Sequence, residues 1–158
     1  MPDSPGERPW RLVLDTNVVV SGLLWNGPSR RLLDLAIEAE TLELYSTAML
    51  LDELAHTLGY AKLARRIRTF GVSVDFLVDR YSALVSLVMP ASVPRVVAGD
   101  ADDDHVIAAA VAARADLIVT GDRRHLLPIG SHDGVGIVTP RLAVERIDGH
   151  VRPTSTNP

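Results

Sequence analysis

The apolar positions of the chain recur in two rhythms, and their alternation predicts the layout of the fold. Residues 11–14 form a short apolar run rich in β-formers, closed by Asp15, Thr16 and Asn17, which are helix-starting residues. A strand leading into a helix is expected there. Gly27-Pro28 breaks the chain, and Ser29 is read as the cap of a second helix with Leu32, Leu35, Ala36 and Ala39 at helical spacing. Residues 42–45 suit a second strand. Ser46 or Thr47 can then cap a helix with the buried stripe Leu50, Leu51, Leu54 and Leu58, which Gly59 ends or bends. A basic helical stretch follows over 62–68. After Gly71, the positions Val74, Leu77, Val78, Tyr81, Leu84, Val85 and Val88 make the cleanest 3.6-residue repeat in the chain and predict one helix.

Pro90 and Pro94 mark a loop around a possible short strand. Val106, Ile107, Ala109, Ala110 and Ala113 then form another helical apolar face, and residues 117–120 read as a buried strand. Residues 123–127 look helical, 130–136 read as a turn-rich loop, and 137–138 as a last strand. Short strands alternating with helices predict an α/β fold. It should have three layers, α/β/α, with helices on both faces of a mainly parallel sheet of four to five strands. Ligands collect beyond the carboxyl ends of such strands, and Asp15 and Asp122 both stand at expected carboxyl ends, so both should face one cleft.

Composition narrows the picture. With 158 residues, 47% of them hydrophobic, the chain suits one domain, assigned to residues 10–149. Residues 1–9, with Pro2, Pro5 and Pro9, read as a disordered leader, and 150–158 as a flexible tail. The absence of cysteine excludes disulfides and thiolate zinc sites, and the cytoplasm is the expected compartment. No apolar run approaches the roughly 18 residues of a spanning helix, so no membrane role is expected. A net charge of −4 argues against coating nucleic acid by bulk electrostatics. Arginines at 30, 31, 65, 66, 68, 123 and 124 nevertheless offer a phosphate path.

The acids are placed where folding alone gains little. Taken singly, Asp15 and Asp122 are explained as helix caps, each worth about 1 kcal/mol. Glu53 lies close to a leucine stripe, where a surface glutamate would not sit; its alternative is an ion pair at the stripe's edge. Asp100, Asp102, Asp103 and Asp104 put four negative charges in five residues, although one would suffice as a cap. Such a set, drawn from strand ends and helix starts, points to oxygen ligands for a hard divalent cation. His105 and His56 lack a partner at catalytic spacing. No Ser/His/Asp arrangement, glycine-rich phosphate loop or zinc spacing is present.

Four segments, in order, carry a resemblance: Leu12-Val-Leu-Asp-Thr-Asn17-Val-Val-Val-Ser21-Gly22; Leu50-Leu-Asp-Glu53-Leu54 with Lys62-Leu63 following; Asp100-Ala-Asp-Asp-Asp-His105-Val106; and Ala115-Asp-Leu-Ile-Val-Thr-Gly-Asp122. Together they resemble PIN-domain ribonucleases, particularly the VapC-like toxin components of toxin–antitoxin systems. The resemblance implies a metal-binding acidic quartet of Asp15, Glu53, Asp103 and Asp122, supported by Asn17 and Thr120. Asp104 is the alternative third ligand.

It further implies Mg²⁺ or Mn²⁺, a metal-activated water attacking RNA, and products ending in 5′-phosphate and 3′-hydroxyl. A homodimer is also implied, with an antitoxin covering the cleft. Arg30, Arg31, Arg123 and Arg124 are the candidate RNA contacts, with solvated surface charge as their alternative. The competing function is a non-catalytic PIN-like module binding RNA or protein. Phosphoryl transfer through Asp15 is disfavoured, because Asn17 stands where a second aspartate would be needed.

Overall fold

Strands buried on both faces have no polar side to show, and three strands of this chain are of that kind. In the computed structural model residues 8–38, 40–91 and 101–149 are described, with side chains from residue 103 onward in the last segment. Alternation along β1 (Trp10–Leu14) sends Leu12 and Leu14 to one apolar cluster and Val13 to the other. In β4 (Leu117–Val119), Leu117 and Val119 face the first cluster and Ile118 the second. β6 (Val135–Val138) is also divided, with Val138 in the first cluster and Ile137 in the second. Such doubly buried strands read as continuous apolar runs, which is why 11–14 and 117–120 were legible.

The six-stranded sheet has the order β3-β2-β1-β4-β6-β5, with β2 at Leu42–Ser46, β3 at Val85–Leu87 and β5 at Ser131–His132. All neighbours are parallel except β5 and β6. The protein is an α/β fold with a mainly parallel sheet, one strand richer than the four to five expected. The larger cluster packs α1 (Thr16–Leu24), α2 (Pro28–Glu38) and α5 (Val74–Ser82) against one face. It also takes in α7 (Pro140–Asp148) and α4 (Ala61–Thr69), the latter through Leu63 and Ile67. α6 (Ala101–Ala113) covers the other face, and α3 (Ala48–Leu58) gives Leu50 to one cluster and Leu54 and Leu58 to the other. Small buried side chains, Ala108, Ala109, Ala110 and Ala113, suit α6 to close packing on the sheet.

The structure corrects several expectations. The repeat over 74–88 is not one helix: α5 stops at Ser82, and Val85–Leu87 pairs with Leu44–Ser46 as β3. Val85 and Leu87 satisfy a two-residue period as well as a helical one, and the open edge of β2 decides between them. Ser29 does not cap α2. The helix begins one residue earlier at Pro28, whose missing N–H costs nothing at that position. Ser29 is buried instead where α1 and α2 cross at Gly22; a Cβ there would lie 2.9 Å from Leu33 Cδ1 and 3.0 Å from the Ser29 carbonyl oxygen.

The stretch 123–127 is turn rather than helix, passing into a single 3₁₀ turn at Leu127–Ile129. The loop 130–136 contains the β5–β6 hairpin, turning at Asp133-Gly134 with φ of 49° and 82°, a conformation that favours Asp and Gly. α7 was not anticipated; Thr139 caps it by accepting from Leu142 N, and Pro140 opens it. Of the two caps offered for α3, Thr47 serves, accepting from Leu50 N at 3.1 Å. The strand expected near Pro94 falls outside the described residues, as do residues 1–7 of the expected leader and the tail. Arg8 holds Asp116 at 2.8 and 2.9 Å. Among the described residues no helix is long and apolar enough to cross a membrane.

Candidate active site

The sheet brings its acids together at one edge. Asp15 leaves the end of β1 and caps α1, its Oδ1 accepting from Thr16 N at 2.9 Å; its own N–H donates to the Val119 carbonyl at 2.9 Å. The buried carboxylate is thereby tied to the neighbouring strand. Just beyond β4, the fully buried Thr120 hydroxyl donates to Asp15 Oδ2 at 2.7 Å and accepts from Asp122 N at 3.0 Å. One hydroxyl therefore sets two acids that are remote in sequence. Asp122 Oδ1 accepts from the N–H groups of Arg124 and His125, at 3.0 and 3.1 Å, which fixes the turn.

Asp103 and Asp104 occupy the first turn of α6, where the positive end of the helix dipole favours negative charge. Both are buried, at 6% and 5% exposure. Asp103 lines an open cleft of about 420 Å³ together with Asp15, Asn17, Glu53, Gly121, Asp122, Arg124 and His125; Asp104 does not line it. Glu53 enters half-buried from α3, and Asn17 is exposed on the first turn of α1. The structure thus gathers Asp15, Glu53, Asp103, Asp122, Asn17 and Arg124 at one place, with Thr120 beneath them.

The other arginines named from sequence lie elsewhere. Arg30 pairs with Asp34 at 3.5 Å along α2, Arg31 reaches Asp148 of α7 at 3.2 Å, and Arg123 is exposed outside the cleft. Asp100 and the side chain of Asp102 are outside the described residues. His105 lines a separate apolar cavity of about 360 Å³ beside Met49, Leu87 and Met89, and His56 stands edge-on to Tyr60.

One cleft residue escaped the sequence reading. His125 Nδ1 lies 3.7 Å from Asp103 Oδ2 and 3.6 Å from Asp122 Oδ2, and ligand atoms of the three residues fall within 4.8 Å of one another. The available signal was its place three residues after Asp122, in the turn that Asp122 itself closes. Burial pushes the Asp122 carboxyl up. The hydrogen bond with Asp103, the two backbone N–H groups and the charge of His125 outweigh that and hold it below the ordinary aspartate value.

The donors fit a hard divalent cation. Four carboxylates against one guanidinium and one imidazole line the cleft among the described residues, a negative, oxygen-rich set that a cation of Mg²⁺ or Mn²⁺ type complements. No curated protein matches the chain. The PIN domain description matches residues 11–124, most of the chain and all four cleft carboxylates. The chain therefore belongs to the PIN domain family, whose members are generally nucleases.

Proposed function

We propose that the protein is a Mg²⁺- or Mn²⁺-dependent endoribonuclease, the toxin of a toxin–antitoxin pair, acting in the cytoplasm as a homodimer. The carrying observation is that Asp15, Glu53, Asp103 and Asp122, from four separate segments, line one cleft at the carboxyl edge of a parallel sheet. These four would hold the ion, with Asp103 the third ligand because it, and not Asp104, is among the residues lining the cleft. When bound, the ion supplies a water of lowered pKa and offsets charge on the scissile phosphate and the leaving oxygen.

The chain's own groups do the positioning. Thr120 orients Asp15 through its hydroxyl and Asp122 through the backbone, so the two carboxylates keep their spacing without rearrangement. Asn17 presents an exposed amide at the cleft mouth, suited to a phosphate oxygen or a water. Arg124 supplies a cation for the phosphate, and His125 braces Asp103 against Asp122.

The test is cleavage of single-stranded RNA in Mg²⁺ or Mn²⁺ by the wild type and by Asp15→Asn. The variant keeps the capping oxygen and should keep the fold by circular dichroism while losing cleavage. Undiminished cleavage in the variant, or full activity in chelator, would overturn the reading. Growth arrest on expression, relieved by a co-expressed antitoxin and absent for Asp15→Asn, tests the toxin role. If the folded wild type cleaves no RNA, the non-catalytic module remains.

A further inference from the structure

Away from the cleft, α4 carries a face that folding does not explain. Leu63 and Ile67 are buried and hold the helix to the core. On another row, Lys62, Arg66 and Phe70 follow one another at i, i+4 and i+8, so the two cations repel rather than support the helix. Arg65 is exposed beside that row and Arg68 is exposed farther round the helix, and among the described residues no carboxylate pairs with any of these four cations.

Aromatic rings alternate with the charges. Lys62 Nζ lies 5.9 Å from the Tyr60 ring, and the Arg66 guanidinium lies 5.3 Å from the Trp25 ring and 5.1 Å from the Phe70 ring. Arg66 Nε donates to the Leu24 carbonyl at 2.8 Å, which anchors this end of α4 to the end of α1. Despite these contacts Trp25, Tyr60 and Phe70 remain 42%, 43% and 43% exposed, leaving ring surface open to solvent.

We propose that this face is a binding track for single-stranded RNA, separate from the acidic cleft; the choice of RNA rests on the nuclease reading above. Unpaired cations suit a phosphate backbone, and open rings suit splayed bases, whereas a duplex keeps its bases stacked and hidden. Asp15 caps the start of α1 and Trp25 its end, so about 14 Å of helix, at 1.5 Å per residue, separates the cleft acid from the Trp25 end of the track. A short single strand spans that distance. The track also carries the contacts expected of Arg30 and Arg31, which are engaged with Asp34 and Asp148.

The test is fluorescence anisotropy of a fluorescein-labelled single-stranded RNA 12-mer with the full chain in chelator, so that no cleavage intervenes. The variant Lys62→Ala/Arg65→Ala/Arg68→Ala leaves Arg66 and the core alone. It should bind at least tenfold more weakly, and its plot of log affinity against log salt should be shallower by about 2, from roughly 0.7 per cation removed. RNA should also quench the emission of Trp25, and Trp25→Phe should remove that quenching.

Wild-type affinity and salt slope in a folded triple variant would overturn the proposal. So would tighter binding of duplex than of single strand. Equal binding of a labelled poly-glutamate 12-mer, lost in the same variant, would overturn it in favour of an acidic protein partner. The two readings fail separately. RNA bound through the track but never cleaved in Mn²⁺ sinks the nuclease alone, and normal cleavage with unchanged KM in the triple variant sinks the track alone.

Discussion

The acidic cleft and the α4 face are both charged, but they are built in opposite ways. The cleft takes one carboxylate from each of four distant segments, and Asp15 and Asp103 are buried there over the buried Thr120. The α4 face comes from one helix and its two ends, joined only by Trp25 at the end of α1, and its charges stay largely in solvent. Desolvated like charges need a compensating ligand and a fixed position, whereas solvated charges are screened and can shift. Substitutions in the cleft should therefore act on chemistry and stability together, and those on α4 on affinity alone.

The contrast breaks first if Asp15→Asn is mild. It is expected to lower the RNA cleavage rate about a thousandfold, roughly 4 kcal/mol of barrier. Asp103→Asn should approach that loss while Asp104→Asn stays within about tenfold, since only the first lines the cleft; cleavage rates with Mn²⁺ affinity by calorimetry measure both. Parity of the two variants would show that lining the cleft does not select the ligand.

Thr120→Ala probes the buried hinge between two acids. Removing its hydroxyl leaves Asp15 Oδ2 and Asp122 N without that partner, and should cost about 1–3 kcal/mol in urea unfolding and weaken Mn²⁺ binding roughly tenfold or more.

The Asp122 carboxyl titrates below its unfolded value, so it stabilises the fold above roughly pH 4 and its contribution fades as pH falls through the depressed folded value. Asp122→Asn should accordingly flatten the stability profile on the acid side, read from urea midpoints between about pH 2 and 5. The smallest effect lies outside both regions. Tyr81 is buried with a hydroxyl that has no partner among the described residues, and burial pushes its phenol up. Tyr81→Phe should be neutral or stabilise by about 1 kcal/mol in thermal unfolding.

Much of the frame could be read from the chain because it depends on local patterns. Doubly buried strands are short apolar runs, so β1 and β4 are legible with their boundaries nearly right, as is β2 with one face only half-buried. The Leu50, Leu54 and Leu58 stripe marks α3 at any depth of burial. Where a pattern serves two structures, local reading fails: Val85 and Leu87 fit the helical repeat, and only an unpaired strand edge makes them β3. The Asp133-Gly134 turn and the Thr139-Pro140 start of α7 are local signals that the sequence also carries.

The candidate site divides the same way. Acid placement at strand ends and helix starts is a property of the sequence, because Asp15, Asp103 and Asp122 sit at boundaries that propensity and capping define. Their meeting is not, since parallel pairing of β1 with β4 sets Asp15 beside Thr120, and nothing local encodes that register. Tertiary structure alone also chose Asp103 over Asp104 for the cleft lining, brought His125 between two aspartates, and engaged Arg30 and Arg31 elsewhere. Side-chain direction and long-range pairing arise from packing the whole core, which no short window of residues contains.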